Sequence, residues 1–255
     1  MTVIMVLAAV FTARCSSGEG VKEKFGAGLD ALARDYRGFY LDTGNLLRFG
    51  AGLAGAGVLA NTSADREFQE YYRDTFRSDG TDDVSKALKL FGEPVIVLPV
   101  LAAVHLVFPN DTPAGVWSQR TLRGIFLGGP LAFAVQYATG GGRPEDGEDS
   151  SKWRGPFHGN NGLSGHAFIG ALPFITAAKM QENFYLKALL YAASPLAGLS
   201  RINDDKHYLS QAALGWYLAY LSASVVERPG PSSGITVSAM PLPGDGLMVF
   251  FNKGF

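Results

Sequence analysis

The distribution of apolar residues along the chain predicts helices. From residue 94 onward, mostly apolar runs alternate with polar stretches, and these runs span residues 94–108, 124–135, 167–178, 188–199 and 212–226. Each run is shorter than the roughly 20 apolar residues of a membrane-spanning helix. Runs of this length in series are typical of a helical bundle whose short apolar cores are extended by polar ends. The pattern therefore predicts an all-α fold, a bundle of about six helices.

The first third of the chain is more polar than the rest. Residues 21–44 place apolar side chains at helical spacing between charges, which predicts a helix lying on a surface. Residues 49–60 are dense in Gly and Ala. This composition predicts a helix that other helices approach closely, with a glycine-rich loop as the alternative. Residues 61–84 are polar and acidic, and we interpret them as a solvated connection.

The two ends of the chain differ in composition from its centre. Val3–Phe11 is an apolar run typical of a signal or anchor segment, with a short buried helix as the alternative. Two β-prone runs, Ile235–Leu242 and Leu247–Asn252, flank a Gly-rich turn and predict a small C-terminal β-hairpin. The expected domains are a signal or anchor at residues 1–20, the helical bundle at 21–228, and a linker with the hairpin at 229–255.

Composition excludes several classes of function. The formal net charge is −1 and the basic residues form no long run, so nucleic acid is not an expected partner. Cys15 is the only cysteine, which excludes an internal disulfide and a cysteine-based metal cluster. No cluster of carboxylates and histidines has metal-ligand spacing. The sequence therefore predicts no metal and no other cofactor.

The candidate chemistry lies mainly in residues 162–216. His166 follows a Ser-Gly turn and precedes an apolar run, and His207 also directly precedes such a run, so both are expected at helix N-termini. The free N–H groups and the positive end of the helix dipole make such positions anion sites. Arg201 and Arg143 offer planar guanidinium groups that match phosphate oxygens. Together these residues indicate phosphoryl transfer.

The order and spacing of these residues resemble the three-part signature of the type 2 phosphatidic acid phosphatase and vanadium haloperoxidase superfamily. The resemblance covers roughly residues 85–227, and its parts are Arg143-Pro144, Ser164-Gly165-His166, and Ser200-Arg201 with His207. The chain departs from the family pattern at three positions. It has Gln136 where the family has Lys, Leu163 where the family usually has Pro, and Gln211 where the family has Asp.

The resemblance implies a mechanism without metal. His207 would be the nucleophile that forms a phosphohistidine, and His166 would be the general acid. Gln211 lies four residues after His207, so its amide oxygen is expected to accept the N–H of that histidine. The groups expected to hold the phosphate oxygens are Arg143, Arg201, Ser164, the Gly165 amide and Gln136. The loop 145–161 has two interpretations. In one, Lys152 or Arg154 replaces the cation missing at position 136, and in the other, the loop is solvated and has no role in the site.

The implied function is hydrolysis of a lipid phosphate or lipid diphosphate. The expected partners are a phosphorylated lipid and a membrane, with the bundle embedded in a bacterial cell envelope and the active site facing away from the cytoplasm. Two alternatives have other functions, a family member that binds phospholipid without turnover and a vanadate-dependent peroxidase. A third is purely structural, with Ser164 and Asp205 acting only as helix caps. The resemblance also implies that Gln211→Asp would raise turnover.

Overall fold

The computed structural model describes residues 18–147, 150–227, 235–242 and 246–253. Up to residue 227 the described secondary structure is helical, which confirms the all-α prediction. The α-helices are α1 Gly18–Tyr40, α2 Thr43–Asn61, α3 Ala64–Thr75, α4 Asp79–Leu88, α5 Pro94–Val107, α6 Pro113–Thr139, α7 Gly165–Lys179, α8 Phe184–Ala193, α9 Leu196–Asn203 and α10 Leu209–Glu227. Two 3₁₀ turns, Lys89–Gly92 and Pro144–Asp146, follow α4 and α6.

Helix α7 is at the centre of the bundle and packs against α6, α8, α9 and α10. Its buried residues include Phe168, Leu172 and Ile175, each at most 2% exposed. Small residues let the helices come close. A Cβ at Gly215 of α10 would clash with the carbonyl oxygen of Ser164, just before α7. This close approach brings the start of α10 beside the start of α7, where both candidate histidines lie.

The described residues contain more helices than the six or so expected, and the largest difference concerns residues 61–84. The prediction of a solvated connection there is wrong, because this segment contains α3 and α4. Asp65 and Gln69 are buried although their side chains are polar. The polar composition led to the wrong prediction because these polar groups bind other polar groups of the protein instead of water, as described below for the site.

Two further boundaries differ from the apolar runs. Helix α6 begins at Pro113, eleven residues before its apolar run, with the Thr112 hydroxyl accepting from the Gly115 amide at 3.2 Å. Arg123 in this polar part is neutralised by Asp35 of α1 through two hydrogen bonds of 2.7 and 2.6 Å. The run at 188–199 is split into α8 and α9 at Pro195. Proline lacks the N–H that a continuous helix needs.

The first two helices are packed into the bundle. The surface helix predicted at 21–44 is α1, but its C-terminal end is buried at Phe39, and Tyr36 and Tyr40 donate to carbonyl oxygens of α6 at 2.8 Å. The Gly- and Ala-rich segment is helix α2, so the loop alternative is wrong. A Cβ at Gly52 would come within 2.5 Å of the Tyr217 ring on α10, which is the close approach that its small residues permit.

The chain ends are described in part. The apolar run Val3–Phe11 lies outside the described residues. At the C-terminus, strand β1 Ile235–Leu242 pairs antiparallel with β2 Gly246–Lys253, with Ala239 opposite Val249. No single described helix is long and apolar enough to cross a membrane. One pair of segments meets that requirement together, by length and composition only. The pair is Asp79–Gly92 and Pro94–Val107, and the two segments are bent by 50° relative to each other.

Candidate active site

The three signature parts meet at one end of the bundle. The Ser164 amide donates to the Gln211 carbonyl oxygen at 2.8 Å, which joins the second part to the third. The Gln211 side-chain amide donates to the Gly142 carbonyl oxygen at 2.8 Å, which joins the third part to the first. Gln211 therefore connects the segments that carry His166, His207 and Arg143.

His207 is held in one tautomer by Gln211. The ring is 7% exposed, and its Nδ1 lies 2.8 Å from Oε1 of Gln211. The same oxygen accepts from the Tyr208 backbone amide at 3.2 Å. Because a backbone N–H can only donate, Oε1 is an acceptor and Nδ1 of His207 must carry the proton. The neutral ring then has its lone pair at Nε2, the atom that a nucleophilic histidine uses in this tautomer.

The electrostatic surroundings keep His207 neutral. Burial lowers its pKa to about 4, and the positive charges of Arg201 and Arg143 and the nearby His166 add to this effect. The hydrogen bond to Gln211 opposes the shift only in part. At neutral pH the Nε2 lone pair is therefore not blocked by a proton.

His166 has a carboxylate partner that the sequence did not reveal. Its Nε2 lies 3.2 Å from Oε2 of Glu93, the residue that precedes α5. Burial and then the charge of Arg201 lower the pKa of His166, whereas Glu93 raises it. Glu93 lies outside the three signature parts, and a Glu-Pro pair at the start of an apolar helix indicates only a helix start.

Arg201 has a buried donor without a partner in the described part of the chain. Its side chain is 14% exposed and one terminal nitrogen donates to Asp204 at 3.2 Å, but Nε is buried and makes no hydrogen bond. Burial lowers the pKa of Arg201, yet a guanidinium stays charged near neutral pH. An unpaired buried donor is costly, so this arrangement favours an incoming acceptor such as a phosphate oxygen.

Arg143 is partly exposed and lies in a cluster of charged side chains. Its Nε donates to Oδ1 of Asn161 at 3.2 Å and a terminal nitrogen donates to Glu145 at 3.1 Å. Glu145 also accepts from Lys206, so one carboxylate joins Arg143 to the residue before His207. These two donors hold the pKa of Glu145 below its usual range.

The turn before α7 has its side chains committed to local contacts. The Ser164 hydroxyl accepts from the Ala167 amide at 3.3 Å and caps the helix. Nε2 of Gln136 donates to the Leu163 carbonyl oxygen at 2.9 Å. Gly165 and His166 are the first residues of α7, and amides at such positions have no carbonyl partner within the helix. Phosphate binding by Ser164, Gly165 and Gln136 remains a prediction.

Helices α3 and α4 hold the loop that carries His207. We call the contacting side chains the α3–α4 clamp, and they are Asp65, Gln69, Arg73, Arg77 and Ser85. Asp205 adopts a left-handed backbone with φ of 56° and accepts from Arg73 at 2.8 Å, from Gln69 at 2.7 Å and from Arg77. Asp65 accepts from the amide and the hydroxyl of Ser210, and Ser85 donates to Asp204 at 2.6 Å. Asp205 is thus an anchor for the clamp, and this contradicts its interpretation as a helix cap.

Other cations near the site are Lys206 and Lys89. Lys206 pairs with Glu145, and the charge of Lys89 lowers the pKa of His166. The replacement of the missing cation by Lys152 or Arg154 remains a prediction. The described residues contain no group of three or more His, Cys, Asp or Glu side chains placed to hold a metal ion.

The fold is similar to that of a solved membrane phosphatase. The crystal structure of the first transmembrane PAP2 type phosphatidylglycerolphosphate phosphatase from Bacillus subtilis matches with a TM-score of 0.51 over 71% of this chain and 93% of that chain, at 16% sequence identity. At this identity the likeness concerns the fold, and it supports the fold that the signature implied. No protein-family model matches the sequence, and no curated protein matches it.

Proposed function

We propose that the protein is a phosphatase that hydrolyses a lipid phosphate or lipid diphosphate through a phosphohistidine, without a metal ion. The observation that carries this proposal is His207, a buried neutral imidazole whose Nδ1 is bonded to Gln211 and whose Nε2 lone pair is available. Arg201 supports it, because its buried Nε makes no hydrogen bond and its positive charge is near enough to lower the pKa of His207.

The proposed first step forms a bond between Nε2 of His207 and phosphorus. The bond from phosphorus to the leaving oxygen breaks, and His166 gives its proton to that oxygen. Arg201 and Arg143 stabilise the charge on the phosphoryl oxygens, with the Gly165 amide at the start of α7. In the second step neutral His166 takes a proton from water, which attacks phosphorus and releases His207.

A lipid substrate is supported by the exposed apolar surface and by the structural similarity to a phosphatidylglycerolphosphate phosphatase. Large apolar side chains are exposed on α5, α6 and α8, among them Val95 at 77%, Phe133 at 62% and Phe184 at 73%. Exposed apolar surface of this kind marks protein or membrane contacts. We therefore place the enzyme at the membrane of a cell envelope, with the site facing away from the cytoplasm as the signature implies.

The first prediction is that the purified protein releases phosphate from a lipid phosphate in detergent with no added divalent metal. The physical reason is that two arginines supply the charge that a metal supplies in other phosphatases. Phosphate release is measured for phosphatidic acid, phosphatidylglycerol phosphate and a prenyl diphosphate, each with and without EDTA. Activity that EDTA abolishes and Mg²⁺ or Zn²⁺ restores would contradict the metal-free mechanism, and no release from any substrate would contradict the enzyme proposal.

The second prediction concerns the membrane. We expect the full chain to stay with the membrane pellet after washes with high salt and with alkaline carbonate, because apolar contact with lipid does not depend on charge screening. The measurement is the fraction of the protein in pellet and supernatant. Release into the supernatant by carbonate would show that the bundle is not inserted in the bilayer.

A further inference from the structure

The contact between Glu93 and His166 connects the start of α7 to a segment outside the signature. The Glu93 side chain is 35% exposed and that of His166 is 27% exposed, with 3.2 Å between Oε2 and Nε2. The backbone packs closely at the same place, because a Cβ at Gly92 would come within 2.5 Å of the His166 carbonyl oxygen. The backbone next to Glu93 is thus in close contact with the backbone of His166.

The hydrogen bond determines which nitrogen of His166 exchanges a proton. An ionised carboxylate only accepts, so Nε2 of His166 carries the proton that Glu93 binds, and Nδ1 is the atom that can be protonated or free. His207 has the opposite arrangement, with Nδ1 bonded and Nε2 available. The two histidines therefore leave different ring atoms outside these hydrogen bonds, Nδ1 in His166 and Nε2 in His207.

The charged neighbours of His166 act mostly against its protonation. Arg201 of α9 and Lys89 of the 3₁₀ turn are positive and lower the pKa of His166, in addition to burial. His207 is nearby and neutral. Glu93 is the negative charge among these neighbours, and its effect is to raise the pKa of His166. A general acid must be protonated before it can act, so Glu93 opposes three influences that would remove the proton.

We propose that Glu93 is a positioning residue for His166, fixing the ring through Nε2 and stabilising its doubly protonated form so that Nδ1 can protonate the leaving oxygen. This proposal rests on the proposed function. In the first half-reaction the Nδ1 proton goes to the leaving oxygen as that oxygen separates from phosphorus. In the second half-reaction Nδ1 takes a proton from the attacking water, and Glu93 keeps its negative charge throughout.

Glu93→Gln removes the charge but keeps a hydrogen-bond acceptor of the same length. The matched control is Glu227→Gln, because Glu227 pairs with Lys179 at 3.1 Å, is 37% exposed and lies at the opposite end of α7 from His166. Glu93 makes no side-chain cap bond to α5, so the substitution should leave the melting temperature close to that of wild type.

The first readout does not require turnover. The protein contains four histidines. With ¹³C-labelled histidine, the His166 signal can therefore be assigned as the resonance lost in His166→Gln and followed as a function of pH by NMR. We expect the midpoint of the His166 titration to move to lower pH in Glu93→Gln and to stay unchanged in Glu227→Gln. An unchanged midpoint in Glu93→Gln, or an equal shift in both variants, would overturn the proposal.

The second readout separates a chemical role from a structural one. A poor leaving group such as an alkoxide needs the proton from His166, whereas p-nitrophenolate does not. For an alkyl phosphate, we expect Glu93→Gln to lower kcat about tenfold or more at pH 7 and to move the alkaline limb of the kcat profile to lower pH. For p-nitrophenyl phosphate, we expect kcat to change less than about twofold. Equal losses on both substrates would overturn the proposal. If wild type hydrolyses neither substrate, the proposed function fails, and the NMR titration still decides the role of Glu93.

Discussion

A His207→Ala variant is expected to release phosphate from lipid phosphates about 10⁴- to 10⁶-fold more slowly than the wild type, the range found when a hydrolase loses a member of its catalytic group. The physical reason is that alanine removes the Nε2 lone pair that attacks phosphorus in the proposed mechanism. Arg201 and Arg143 would remain to bind the phosphate, so KM should change much less than kcat. Phosphate release under single-turnover and steady-state conditions measures both quantities.

The matched control for this prediction is His158→Ala. His158 is exposed, and its ring contacts a backbone oxygen of Pro156 at 3.1 Å. The His158→Ala variant should retain wild-type activity. A second measurement is the covalent intermediate, since ³²P from the substrate should stay on wild-type protein after an alkaline quench and be absent from His207→Ala. Labelling that persists in His207→Ala, or a turnover within tenfold of wild type, would exclude His207 as the nucleophile.

The pH dependence of the same reaction tests the environment of His207. Its pKa is lowered to about 4 by burial, so the ring gains a proton only as the pH falls through that value. An exposed histidine would be protonated below about pH 6.5. His207 should therefore remain unprotonated, as the proposed nucleophile must be, at pH 5 to 6, and a loss of activity on the acidic side should appear only near pH 4.

Part of the geometry of the candidate site could be predicted from the sequence because it depends on short local patterns. Ser164, Gly165 and His166 are consecutive and open a helix, and His207 and Gln211 are four residues apart, so their proximity does not depend on the tertiary fold. The structure places the Gln211 oxygen 2.8 Å from His207, the contact that this spacing allows. The all-α class was predictable for a similar reason, since apolar runs report the buried faces of individual helices.

The residues that the sequence did not reveal act over long separations. Glu93 contacts His166 across 73 positions, and Gln69 and Arg73 contact Asp205 across more than 130. A polar residue that will be buried by a distant polar partner has the same local pattern as one that faces water. This is why residues 61–84 were interpreted as a solvated connection, although four of their side chains belong to the clamp on the His207 loop.

Gln211 leads to the final prediction, which reverses the one that the signature implies. By the family pattern, Gln211→Asp would restore a carboxylate behind His207 and raise turnover. The hydrogen bonds of Gln211 change this expectation, because the amide uses both of its ends. Oε1 accepts from His207 and from the Tyr208 amide, and Nε2 donates to the Gly142 carbonyl oxygen. Aspartate is one methylene shorter and has no donor.

We expect Gln211→Asp to lower kcat/KM and to lower the free energy of unfolding by about 1–3 kcal/mol, the cost of leaving a buried acceptor such as the Gly142 carbonyl without its partner. The segment that carries Arg143 would also lose this hydrogen bond to α10. Gln211→Glu keeps the length but places a negative oxygen against that carbonyl oxygen, so it should lose activity too. Gln211→Leu removes all three side-chain hydrogen bonds and no longer fixes the tautomer of His207. In a serine protease, loss of the correct tautomer costs about 10⁴-fold in kcat.

The order of kcat/KM should therefore be wild type above Gln211→Glu and Gln211→Asp, with Gln211→Leu lowest. Melting temperatures measured beside the kinetics separate a loss of folding from a loss of chemistry. Gln181→Leu, in a residue just past the far end of α7, is the control and should match wild type in both measurements. If Gln211→Asp turns over faster than wild type, the carboxylate matters more to His207 than the bond to Gly142 does. The amide would then be a weaker partner for His207 than a carboxylate, rather than the group around which this site is built.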